Sequence, residues 1–106
     1  MSETTMPYYA IYCEDNQDNN IEKRRSVRPA HLQRLKELNQ QGKLLTAGPL
    51  FNKDGDNPMT SGIYGSLIIA EFEDIISAKA WAAADPYITA GIYSNVNVHP
   101  FHNVDF

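Results

Sequence analysis

The chain of 106 residues holds a single cysteine, Cys13, so an intrachain disulfide is excluded. No apolar run approaches membrane-spanning length, and no signal-peptide pattern is present. A cytoplasmic protein with no membrane partner is the expectation. Phosphate-binding glycine motifs, cysteine clusters and nucleophile elbows are all missing. His99 and His102 lie three apart without a third ligand nearby. Asp54 and Asp56 sit in "DGD" without the bidentate glutamate that a calcium loop needs. No metal and no cofactor are therefore expected. A formal net charge of −4 argues against a nucleic-acid partner.

Charge is nevertheless unevenly spread. Seven of the nine Lys and Arg residues fall between Lys23 and Lys43, where Glu37 is the only acid. Most of these cations read as a solvated helix face, with Arg28, near His31, as the exception. The first seven residues form a polar tail, and Met6 would serve as a start as well as Met1. One domain occupies residues 8–106, without repeats or low-complexity tracts. Its aromatic and apolar content is sufficient for a core.

Six elements and one short turn make up that domain. "YYAIYC" (8–13) predicts a first strand, closed by the polar turn "EDNQDNN". Pro29 suits a first helical turn, so a helix is expected from Pro29 to Gln41, stopped by Gly42. "KLLTAGPL" (43–50) is a second strand closed by Gly48-Pro49, and "GSLIIAEF" (65–72) a third. Asp74 caps a second helix that buries Ile76, Ala80, Trp81 and Ala83 and breaks at Asp85, before Pro86. A short turn to Gly91 leads into a fourth strand, 92–101. There Ile92, Ser94, Val96 and Val98 share one face, and Tyr93, Asn95, Asn97 and His99 the other.

The order β-α-β-β-α-β is the ferredoxin-like pattern, an α+β fold. Two helices cover only one face of a four-stranded sheet. Strands one and three read as near-continuous apolar runs, which implies burial on both faces. A second copy, sheet against sheet, is the economical cover. A homodimer is expected, with further assembly of dimers left open.

Chemistry concentrates in two places. His31 stands one turn before Leu35 and two before Leu38, at the buried edge of the first helix. At a helix start and beside Arg28, its neutral imidazole would be favoured, and that form is a base. Asp85 either caps the turn at Pro86 or reaches across the fold to hold His31. Arg28 and backbone N–H groups could stabilise an anion. Tyr9, Tyr93, Ser66, Gly48 and Pro49 are further candidates to line a substrate pocket. Cys13 reads as packing.

"R-P-A-H-L", "L-L-T-A-G-P" and "W-A-x-x-D-P-Y-x-x-A-G-x-Y" together resemble the YciI-like family of small bacterial proteins. The resemblance spans Tyr8 to Phe101, while the tail "HNVDF" departs from the family's basic ending. It implies a ferredoxin-like dimeric α/β barrel, similar in fold to muconolactone isomerases. It also implies a histidine–aspartate pair in a cleft, His31 and Asp85 by motif. The family includes a lyase that eliminates halide from a chlorinated hydroxylated ring. Two functions follow as expectations. One is a cofactor-independent lyase or isomerase acting on a small oxygenated, potentially aromatic substrate. The other is an accessory protein that binds a small molecule or anion without chemistry.

Overall fold

The structure is a computed structural model and describes residues 6–16, 21–55, 57 and 62–106. The first five residues and Asp56 lie outside these. Its elements are β1 (Tyr8–Asp15), α1 (Ile21–Gln40), β2 (Leu44–Phe51), β3 (Ile63–Glu71), α2 (Ile75–Ala83), α3 (Pro86–Thr89) and β4 (Tyr93–Phe101). The strands form one antiparallel sheet in the order β2-β3-β1-β4. This is the expected α+β, ferredoxin-like arrangement.

One sheet face carries the core. Tyr9, Ile11 and Cys13 of β1 join Ile68 and Ala70 of β3, Leu38 of α1 and Ala78 and Ala82 of α2. The alternate positions point the other way: Ala10 and Tyr12 of β1 stand opposite Ile69 and Leu67 of β3. Glu14 shares that second face and accepts hydrogen bonds from Tyr64 at 3.0 Å and Tyr12 at 3.4 Å.

Helix α1 begins eight residues earlier than expected, and Pro29 lies inside it. The missing N–H of one proline is outweighed by packing along the whole helix. Its stripe explains the length. Ile21, Arg24, Arg28, His31, Leu35 and Leu38 are spaced alternately by three and four, but only the ends are apolar. In β2, Gly48-Pro49 is interior, not terminal. An edge strand tolerates proline because one side of its backbone needs no ladder partner.

Asp74 caps α2 as expected, accepting from the Ser77 N–H at 2.8 Å. The buried residues are Ala78 and Ala82, whereas Ile76 is 75 % exposed and Ala80 and Ala83 face solvent. The stripe runs 75, 78, 82, with Trp81 half-buried beside it. An alanine-rich helix gives too little apolar contrast to fix its own rotation. The other correction concerns β4. Glu14 pairs with Asn95 but Asp15 pairs with Tyr93, so a bulge skips Ser94. That extra residue turns Tyr93 to the helix side, where it is 8 % exposed.

Two consequences are testable. A Cβ on Gly65 would fall on the backbone carbonyl of Cys13 in the neighbouring strand. Gly65→Ala is expected to destabilise by about 2 kcal/mol or more, seen as a lower urea midpoint. The Cys13 thiol is 2 % exposed, and burial, with the nearby Asp85 charge, pushes its pKa up to about 12. Iodoacetamide at pH 8 should modify the native protein at least about 100-fold more slowly than the urea-unfolded chain.

Candidate active site

The break between α2 and α3 presents a carboxylate. Asp85 is extended (φ −64°, ψ 134°) because Pro86 follows, and its side chain accepts from the Tyr87 N–H at 2.9 Å. The same carboxylate faces α1. His31 Nδ1 lies 3.0 Å from Oδ1 and 2.9 Å from Oδ2. Capping and holding His31 are thus compatible roles. A carboxylate only accepts, so Nδ1 carries the proton and Nε2 is the nitrogen left for a ligand.

The imidazole is fixed on its flat side too. It stacks on the Tyr87 ring at 4.1 Å and 10°, and meets the edge of Tyr93 at 6.5 Å. His31 is 6 % exposed, Asp85 2 % and Tyr87 0 %. His31 is eleven residues into α1, not in its first turn, so the helix N-terminus does not act on it.

The buried arginine beside the pair is Arg24. Its Nε donates to Asp15 Oδ2 at 3.0 Å, and its Nη2 to Ser66 Oγ at 2.6 Å and Gly65 O at 3.3 Å. The guanidinium carbon sits 4.7 Å from the centre of the Tyr87 ring. Tyr93 donates to Ser66 Oγ at 2.9 Å. Burial raises the pKa of Asp15 more than its bond to Arg24 lowers it. Burial likewise pushes Tyr87 and Tyr93 up, so both hydroxyls stay protonated.

A cavity of about 380 Å³ opens between α1 and the β2–β3 half of the sheet. Leu32, Leu35, Ala47, Pro49 and Ile68 supply apolar wall, and Arg24, His31, Ser66 and Tyr87 supply polar groups. The volume and mixed lining suit a small organic molecule. The Tyr87 hydroxyl is buried without a hydrogen-bond partner.

Most of the expected site residues meet here. His31, Arg28, Gly48, Pro49 and Ser66 line the cavity, and Asp85 holds His31. Arg28 is exposed at the wall, so the buried cation is Arg24. Tyr93 stands behind Ser66. Tyr9 does not line the cavity; it packs 6.4 Å from Phe72 in the core. Arg24 and Asp15 belong to the site without standing out in the sequence. The signal was the three-four spacing running back to Ile21 through charged residues. Among the described residues no cluster of three metal-ligating side chains occurs, and no helix is long and apolar enough to cross a membrane.

The YCII-related domain model matches residues 7–102. The chain belongs to this family. Protein YciI of Escherichia coli is 53 % identical over 96 residues, covering 91 % of this chain and 97 % of that protein. An uncharacterised protein of Haemophilus influenzae is 50 % identical over 97 residues, covering 92 % and 98 %. Among solved structures, the 5-chloro-2-hydroxyhydroquinone dehydrochlorinase of Burkholderia phenoliruptrix, in complex with 2,5-dihydroxybenzoquinone, superposes with a TM-score of 0.78. It covers 92 % of this chain and 95 % of that one at 23 % identity, a likeness of fold.

Proposed function

We propose that this protein is a small enzyme without a cofactor, in which His31 removes a proton from a small oxygenated molecule. The observation that carries the reading is the hold of both Asp85 oxygens on His31 Nδ1 at the wall of a cavity. The held imidazole offers Nε2 as base. In an elimination, a C–H or O–H proton passes to Nε2, its electron pair forms the new double bond, and the leaving group departs with its own pair. In an isomerisation the same proton returns at another carbon. When the proton leaves a hydroxyl, or a carbon next to a carbonyl, negative charge builds on an oxygen of the substrate. Arg24 and the Ser66 hydroxyl are the donors placed to meet it, with Arg28 at the wall. The structural relative binds an oxygenated six-membered ring, which a cavity of this size would admit.

The test is consumption of substrate, not binding alone. Halogenated and unsubstituted hydroquinones and small hydroxylated aromatic acids form the panel. Loss of starting material, with halide release from the halogenated members, supports the enzyme. Thermal stabilisation across the panel without product would favour an anion-binding protein instead.

The second sheet face supports a homodimer. Ala10, Tyr12 and Leu67 are half-buried there and Ile69 is buried, an apolar band outside the core cluster that the helices join. Light scattering at micromolar concentration should return twice the 11.9 kDa chain mass, and Leu67→Glu should shift it towards one chain. A wild-type monomer would contradict this.

A further inference from the structure

Arg34 approaches Asp85 from the helical turn after His31. Its Nη1 lies 3.8 Å from Asp85 Oδ2, and its Nη2 donates to the Trp81 carbonyl at 2.8 Å. The guanidinium carbon sits 4.2 Å from the Trp81 ring centre. The Trp81 carbonyl belongs to the last turn of α2, where carbonyls lack intrahelical partners and cations are favoured. Nη1 is buried and has no hydrogen-bond partner. Its nearest opposite charge is the carboxylate that holds His31.

Resting on the reading of His31 as a base, we propose that Arg34 is a positioning residue of the pair. It fixes the Asp85 carboxylate and shares its negative charge, so that the carboxylate orients the imidazole without over-stabilising the imidazolium. Two effects act in one direction. Arg34 weakens the pull of Asp85 on a second His31 proton, and its own charge, three residues along the same helix, repels a protonated ring. The other polar groups around the pair are Arg24 and Arg28 on α1, Tyr87 on α3, Tyr93 on β4, Cys13 and Asp15 on β1 and Ser66 on β3. Substitution of Arg34 leaves all of them in place.

The experiment is an NMR titration of the His31 ring, assigned by comparison with His31→Gln. Arg34→Gln and Arg34→Met, the latter keeping an apolar stem over Trp81, should raise the His31 midpoint by about one pH unit. Arg34→Lys should restore most of the wild-type value. Midpoints within about 0.2 units of wild type in folded Gln or Met variants would overturn the proposal, because a merely structural arginine would not move them. Failure of both neutral variants to fold while Arg34→Lys folds would also overturn it, by making Arg34 a packing residue. Failure of the base assignment is distinguishable: it appears as turnover retained by His31→Gln, whatever the titration gives.

Discussion

Arg24→Met should lower stability by about 3 kcal/mol, among the largest losses from any single polar substitution in this chain. Arg24 and Asp15 have side chains only 8 % and 6 % exposed, and their bond is 3.0 Å. Methionine replaces the volume of the arginine stem but leaves a buried carboxylate with no counter-charge. One oxygen of that carboxylate, Oδ1, already lacks a partner. The double variant Arg24→Met/Asp15→Asn should recover much of the loss, since it removes the stranded charge as well. The pH dependence follows from direction alone. Burial already raises the Asp15 pKa, with Arg24 opposing it, so removing Arg24 raises it further. A carboxyl whose folded pKa exceeds its unfolded value contributes stability below the unfolded value, and loses it as pH rises through the folded one. The deficit of Arg24→Met should therefore be larger at pH 8 than at pH 5, as read by urea denaturation. An equal deficit at both would mean that Asp15 is not the stranded group.

The second large effect is on chemistry. On any substrate the panel identifies, His31→Gln should reduce kcat by about 10³-fold or more while the fold persists. Asp85→Asn is the more discriminating change. Asparagine can still accept from the Tyr87 N–H with its carbonyl oxygen, so the cap on α3 survives. Its amide group, facing Nδ1, would donate where the carboxylate accepts, and would place the ring proton on Nε2. The base would then be blocked with its geometry nearly intact. A loss of about 10²- to 10⁴-fold in kcat, with little change in the urea midpoint, is expected. Full activity in either variant would remove the pair from the mechanism.

Much of this arrangement is legible in the sequence, for reasons that differ by residue. The element order is carried by local signals: Asp74 as a cap, Gly42 and Gly91 with positive φ of 75° after helical segments, and the proline after Asp85. His31 stands out because an imidazole interrupts a leucine stripe. Asp85 stands out because Asp-Pro ends a helix. The family resemblance, not the spacing, joined the two. Arg24 was hidden because an apolar stripe is read by its apolar members, and this one turns cationic where it meets the cavity. The same change of chemistry along one face hides the helical turns that precede Pro29. The bulge at Ser94 leaves no pattern of its own, so simple alternation puts Tyr93 on the opposite face. It is pairing with β1, a contact distant in the chain, that turns it inward.

If the Asp85 carboxylate accepts from His31, the ring proton sits on Nδ1 and Nε2 carries none. A long-range ¹H–¹⁵N correlation spectrum, recorded at a pH where the ring is neutral, reads this directly. Wild-type His31 is expected as a single Nδ1–H tautomer, and Asp85→Asn is expected to shift it to Nε2–H. A wild-type ring found as Nε2–H, or as the even mixture of a free imidazole, would contradict it.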